Sequence, residues 1–172
     1  DVSAKFLSEL EAMWLANCVL DPQKLCETLT KFAQDRFDVY VKYCSNQRYQ
    51  EQTLAKLRSE NSEFRQLLAE LERASACQGL TMQSFLTLPM QRVTRLPLLV
   101  DAVCHRMQPQ DSAYSAAKES FAALHKLVKQ CNEGARQMQN LEEVTLIDSR
   151  LRFKNVKKIP VVSQSRSLVK KG

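Results

Sequence analysis

The segment Leu88-Pro89-Met90-Gln91-Arg92-Val93-Thr94-Arg95-Leu96-Pro97-Leu98-Leu99-Val100 carries the clearest structural information in the chain. Its pattern predicts a helix that begins at Pro89, because the first turn of a helix needs no partner for the N–H that proline lacks. Pro97 falls inside the same pattern, where a proline removes one backbone hydrogen bond and kinks the helix. We therefore expect a kinked helix that runs from Pro89 to Arg106.

Two stripes run along this predicted helix. Apolar residues spaced three and four apart form the first stripe and predict a face that packs into a core: Val93, Leu96, Val100, Val103 and Met107. The second stripe has similar spacing and consists of Gln91, Arg95, Leu98 and Ala102. Because the second stripe mixes an amide, a cation and exposed aliphatic groups, it is typical of a face that binds another protein.

Length and composition predict one mostly helical domain. The 172 residues suffice for a sizeable core, and only three glycines and five prolines interrupt them. Leu, Ala, Glu, Gln and Lys are plentiful, which favours helices and an all-α fold. The chain has no apolar run of about 18 residues, so we expect no membrane span.

Cysteine and histidine spacing argues against a metal site. The six cysteines stand at positions 18, 26, 44, 77, 104 and 131, and none form a C-x-x-C pair. Cys104 and His105 are adjacent and cannot easily both bind a metal from one helix face. We therefore expect reduced, mostly buried thiols of a cytoplasmic protein and no bound metal.

The positive charge of the chain is concentrated at its end. Residues 150–172 carry eight basic and no acidic side chains, whereas the remaining residues carry 17 basic and 19 acidic ones. The body is therefore net negative, which argues against nucleic-acid binding. The basic segment could contact anionic lipid and recruit the protein to the plasma membrane, contact a neighbouring domain, or act as a solvated connector.

Helical patterns also cover most of the remaining sequence. They predict helices over 1–15, 22–32, 37–44, 49–58 and 63–76, with a break over 45–47. Asp21 is the predicted N-cap of the second helix, and Gly79 is the predicted C-terminal cap of the helix over 63–76. Thr81 is expected to cap a short turn that leads to Pro89. After a polar loop at 108–111, a long helix is predicted over 112–141. Its core seam consists of Tyr114, Ala117, Phe121, Leu124, Val128, Cys131, Ala135 and Met138. Residues 159–162 predict an extended linker or an edge strand.

The chain lacks the motifs of bond-making enzymes. The three glycines are too scattered for a phosphate loop, and neither H-E-x-x-H nor G-x-S-x-G occurs. His105 and His125 are isolated, and no residue near either predicts a role in acid–base catalysis. We expect no covalent chemistry and no cofactor.

Three separated motifs lie in order along the chain: residues 40–47, residues 85–99 and Cys131-Asn132-Glu133. They resemble, in that order, the second conserved region, the third conserved region and the Asn-Glu of the last helix of the Dbl homology (DH) domain, most closely that of the ephexin subfamily. The resemblance implies an elongated helical bundle over 1–145, which lacks the usual N-terminal helix, and a basic linker and the start of a pleckstrin homology (PH) domain over 146–172. Residues 6–11 resemble the segment that follows the first conserved region, so no residue here inherits its switch-I glutamate.

The resemblance implies a guanine-nucleotide exchange factor that binds the switch regions of a Rho-family GTPase, with a Rho-type GTPase as the first choice. The residues expected to bind the GTPase are Gln91, Arg92, Arg95, Leu98, Ala102, Asn132, Glu133 and Arg136. Arg92 could instead pair with an acid inside the bundle, Glu133 could stabilise its own helix, and Asn132 could be a polar packing residue. Without the glutamate we expect weak exchange by this chain alone; the alternatives are a scaffold that lacks exchange activity and a membrane-surface module.

Overall fold

The computed structural model of the chain describes residues 1–154 and 159–163. Within these ranges the fold is all-α, as predicted, and has no strand. Its helices are α1 (Val2–Asn17), α2 (Pro22–Asp35), α3 (Asp38–Ser45), α4 (Gln47–Glu60), α5 (Ser62–Arg73), α6 (Met82–Cys104) and α7 (Tyr114–Arg150), and a 3₁₀ turn covers Ser75–Cys77. The predicted linker and start of a PH domain over 146–172 fall in part on residues 155–158 and 164–172, which lie outside the described ranges.

Side-chain caps set several of the helix starts. Asp21 accepts hydrogen bonds from the backbone of Gln23 and Lys24, and Pro22 occupies the first position of α2, as predicted. Asp1 caps α1 and Asn61 caps α5 in the same way. The predicted break over 45–47 is also confirmed, because α3 ends at Ser45 and α4 begins at Gln47.

Three predicted boundaries are wrong. Helix α6 begins at Met82 rather than at Pro89, because the Thr81 hydroxyl caps it and packing against α3 and α7 offsets the loss of one proline hydrogen bond. Helix α5 ends at Arg73, where Ala74 turns extended, so Gly79 does not cap it and instead follows the 3₁₀ turn with φ 75°. Helix α7 continues past residue 141 to Arg150, and Glu142 within this extension pairs with Arg48 of α4 at 2.8 Å.

The core lies where α7 packs against α2, α3 and α6. An aromatic cluster anchors the start of the chain to it: the rings of Phe6, Phe32 and Phe37 lie 5.0 to 5.8 Å apart, and Phe37 also contacts Tyr40. The α7 seam is confirmed at Ala117, Leu124 and Cys131, and its other predicted members are half-buried. Ser120 and Leu127, which the seam did not include, are fully or almost fully buried.

The described cysteines fit the expected pattern. All six are free, and Cys26, Cys44, Cys104 and Cys131 are buried, whereas Cys18 is exposed and Cys77 is half-buried. Residues 159–163 contain no strand, and the backbone N–H of Val161 donates to Asp148 of α7 at 2.9 Å. The predicted edge strand is therefore absent at 159–163, and this hydrogen bond places the segment beside the end of α7.

Candidate functional site

Helix α6 has one face in the core and the opposite face open to solvent. Val93, Pro97, Val100 and Cys104 are buried. Their burial turns the predicted second stripe outward, and Gln91, Arg95, Leu98 and Ala102 are all exposed. Leu98 keeps 67% of its surface exposed, although it lies in the middle of a well-packed helix. An exposed leucine between polar neighbours is a feature of surfaces that bind other proteins.

A groove runs beside this stripe, between the start of α1, α3 and α6, and we call it the α6 groove. It has a volume of about 860 Å³. Its apolar walls consist of Val2, Val39, Tyr40, Tyr43, Leu88, Pro89, Leu96 and Leu99. Gln91, Arg92 and Arg95 also line it, so three of the predicted site residues meet at one apolar cleft.

The cations of the α6 groove have no acidic partner in the described part of the chain. Arg92 and Arg95 are exposed, and no carboxylate among residues 1–154 and 159–163 lies within ion-pair distance of either guanidinium. The alternative that Arg92 pairs with an acid inside the bundle is therefore wrong. Two unpaired guanidinium groups beside an apolar cleft suit a partner that offers carboxylates next to apolar side chains.

The predicted residues of α7 line a second groove, between α2, α3 and α7, which we call the α7 groove. Its volume is about 890 Å³, and Asn132, Glu133 and Arg136 contribute to its walls. Helix α3 separates the two grooves, since Val39 and Tyr43 line the α6 groove whereas Val41 and Lys42 line the α7 groove. The structure thus brings six of the eight predicted residues together in two groups rather than in one, whereas Leu98 and Ala102 line neither groove.

Glu133 is engaged within its own helix. Arg136 donates to both carboxylate oxygens of Glu133, at 2.9 and 2.8 Å, and Gln137 donates to one of them at 3.0 Å. These hydrogen bonds, that of Arg136 first, lower the pKa of Glu133, and Glu133 in turn raises the pKa of Arg136. The geometry follows the alternative in which Glu133 stabilises α7, and it neutralises Arg136 at the same time.

Asn132 is directed away from the core. It is exposed, although it directly follows the buried Cys131. The alternative that it is a polar packing residue is therefore wrong. Its amide is free to bind a partner, since no hydrogen bond to another described residue engages it.

The sequence patterns missed part of both grooves. Leu88 and Leu99 keep 45% and 64% of their surfaces exposed, and both line the α6 groove. Their apolar character beside the core stripe of α6 was a signal that more than one face of this helix is apolar. Lys126 and Lys129 also line the α7 groove, and the signal in the sequence was the spacing of three residues from Lys126 to Lys129 and from Lys129 to Asn132.

Other kinds of site find little support in the described residues. Within 1–154 and 159–163, no three His, Cys, Asp or Glu side chains converge as they would around a metal ion. In the same ranges, none of the helices combines the length and the apolar character that crossing a bilayer requires.

Comparisons with known proteins agree on one family. Residues 1–132 match the family described as RhoGEF domain. Rho guanine nucleotide exchange factor 16 from Homo sapiens is 45% identical over 99% of this chain and 24% of its own length. Ephexin-1 from Mus musculus is 41% identical over 99% of this chain and 24% of its own length. The chain thus spans about a quarter of the length of these relatives.

Solved structures share the fold at low sequence identity. The complex of PDZ-RhoGEF DH/PH domains with GTP-γ-S-activated RhoA matches with a TM-score of 0.79 and 16% identity, over 88% of this chain and 43% of that one. The linker-DH/PH domains of p115-RhoGEF match with a TM-score of 0.78 and 17% identity, over 88% of this chain and 46% of that one.

Proposed function

This chain belongs to the RhoGEF domain family, and we propose that it binds the switch regions of a Rho-family GTPase and promotes the release of GDP. The observation that carries the proposal is the outward stripe of α6, where Gln91, Arg95 and Leu98 are exposed beside an apolar groove. The resemblance to DH domains expected from the sequence is confirmed by the family match and by ephexin-1 among the relatives.

The proposed mechanism needs no covalent step. A protein that binds the nucleotide-free GTPase more tightly than the GDP-bound form shifts the equilibrium toward the nucleotide-free form by that difference in affinity. GDP then leaves, and GTP fills the empty site. In this scheme Arg95 supplies a cation to the switch region, and Gln91 and Leu98 supply a polar and an apolar contact beside it.

One GTPase could engage both groups of predicted residues. A standard protein interface covers roughly 800 Å² on each partner, which is enough to reach from α6 across α3 to α7. Asn132 would then offer its amide to the GTPase, while Glu133 would act by holding Arg136 in place. RhoA is the first choice of partner, because one structural relative, PDZ-RhoGEF, was solved in complex with it.

We further propose that the protein works in the cytoplasm and is recruited to the plasma membrane by its basic segment. Residues 150–172 carry eight basic side chains and no acidic one, which suits an anionic lipid surface. Co-sedimentation with liposomes, with and without phosphatidylserine, would detect such binding. Equal sedimentation of the chain and of a version without residues 150–172 would overturn this part of the proposal.

The test of the main proposal follows the release of fluorescent GDP from Rho-, Rac- and Cdc-type GTPases. Both this chain and a version extended upstream in its own gene are added, because we propose that exchange by residues 1–172 alone is weak. Acceleration that is lost on Arg95→Glu supports the proposal. Unaccelerated release with both versions, together with absent binding, overturns it.

A further inference from the structure

Gly134 occupies the point where α3 crosses α7. A glycine inside a helix weakens that helix relative to alanine, so its presence calls for a reason in packing. A Cβ atom at this position would collide with Oγ of Ser45 in α3 and would contact Cγ1 of Val41 at 3.6 Å. The missing side chain therefore lets the two helices approach more closely than any other residue would allow.

Ser45 is held in the space that a larger residue at position 134 would need. Its hydroxyl donates to the carbonyl oxygen of Val41 at 2.8 Å and is half-buried, so moving it would break this bond. Next to this contact the thiols of Cys44 and Cys131 are both buried, and their mutual interaction raises the pKa of Cys131 and lowers that of Cys44. The crossing is thus closely packed where Gly134 faces Ser45 and Val41, although Gly134 also lines the α7 groove.

The same crossing forms the surroundings of Asn132, which lies two residues before Gly134. On one side Asn132 shares the α7 groove with Val41 and Lys42. On its other side it shares a smaller cleft with Cys44, Ser45 and Gln47. These neighbours belong to α3 or to the first residue of α4, and other residues of α2 and α4 complete the two clefts. The distance between α3 and α7 therefore sets part of the surroundings of the Asn132 amide.

We propose that Gly134 is a positioning residue, which lets α3 pack closely against α7 beside Ser45 and thereby sets Asn132 for contact with the GTPase. This inference rests on the proposed function, since it assigns a role in the same binding surface. Gly134 does not contact the GTPase in this proposal, and it acts through Asn132.

The experiment measures the affinity of the chain for nucleotide-free RhoA. Gly134→Ala should weaken it by about 10- to 100-fold, because a displacement of roughly 1 Å at a positioned group can cost that much. Ser45→Ala removes only the hydroxyl and should leave the affinity nearly unchanged. The double variant with both substitutions makes room for the new Cβ and should restore most of the affinity.

A double-mutant cycle separates positioning from a general loss of stability. In the Gly134→Ala background, Asn132→Ala should weaken the affinity for nucleotide-free RhoA little further, because the amide is already displaced. In an Arg95→Ala background, Asn132→Ala should weaken this affinity by its full amount. Val41→Leu enlarges the other side chain that faces Gly134, and it should weaken binding in the same direction. This variant keeps the test decisive should Gly134→Ala fail to fold.

The outcomes distinguish the two proposals. If the unsubstituted chain does not bind nucleotide-free RhoA, the proposed function fails, and the positioning role fails with it. If the chain binds but Gly134→Ala binds equally well, or Ser45→Ala does not restore binding, only the positioning role is overturned.

Discussion

The phenolic Oη of Tyr43 in α3 donates a hydrogen bond to the carbonyl oxygen of Leu86 in α6 at 2.8 Å. This bond joins two of the three helices that line the α6 groove. Burial raises the pKa of Tyr43, and the neighbouring Cys44 adds to the effect. The neutral phenol is therefore the form that supports the contact between α3 and α6.

Tyr43→Phe should destabilise the fold by about 1 kcal/mol at neutral pH, because it removes one hydrogen bond and keeps the ring. The pKa of Tyr43 is higher in the folded than in the unfolded chain, where it is about 10. The contribution of the phenol to the free energy of unfolding is therefore complete below the pKa of Tyr43 in the unfolded chain, and it is lost as the pH rises through the pKa of Tyr43 in the folded chain. Urea denaturation at a series of pH values from neutral to about 11 should show that the free energies of unfolding of the unsubstituted chain and of Tyr43→Phe converge. A difference between the two proteins that stays constant with pH would contradict this prediction.

Arg95→Glu should lower the affinity for nucleotide-free RhoA by at least about 2 kcal/mol, because it reverses a charge at the centre of the proposed surface. Arg95 has no acidic partner in the described ranges, so the helix content seen by circular dichroism should not change. Arg73→Glu, an exposed reversal in α5, is the matched control. Equal affinity of Arg95→Glu and Arg73→Glu would remove Arg95 from the interface.

Asn132→Ala should weaken the same binding by about 1–3 kcal/mol, the range for a hydrogen bond whose partner is left unpaired. The exposed position of Asn132 predicts almost no change in stability. Asn140→Ala makes the same change two turns further along α7 and should leave binding intact. Calorimetric titration of nucleotide-free RhoA measures the affinity of each variant. Comparable losses of affinity for Asn132→Ala and Asn140→Ala would exclude a specific contact at Asn132.

Leu124→Ala should destabilise the fold by about 2–5 kcal/mol, because it opens a cavity at a fully buried position. Leu98→Ala removes the same atoms from a side chain that is 67% exposed, so its effect on stability should stay within about 0.5 kcal/mol. Thermal unfolding compares the two. An unchanged melting temperature for Leu124→Ala would contradict the assignment of the α7 core.

Local patterns in the sequence predicted much of the fold. The Asp21-Pro22 cap, the break before Gln47 and the outward direction of Arg95 all depend on neighbours within a few residues, and all three are confirmed. The boundaries that failed depend on distant residues. Helix α7 continues to Arg150, and Arg48 contacts its extension from another helix.

The arrangement of the candidate site was less predictable. Asn132 and Arg95 are both exposed, but only the position of α3 shows that they line separate grooves. The role of Gly134 was also hidden, because a single glycine in a helical pattern does not reveal which side chain lies opposite. Spacing along one helix identifies a face, whereas the contacts of that face depend on how the other helices pack.

The decisive measurement compares the affinity of this chain for nucleotide-free RhoA with its affinity for RhoA bound to GDP and Mg²⁺. We expect tighter binding of the nucleotide-free form by about 5- to 150-fold or more, because only a difference in affinity can promote release of the nucleotide. Equal affinity for the two forms, or no binding of either, would contradict the proposed function.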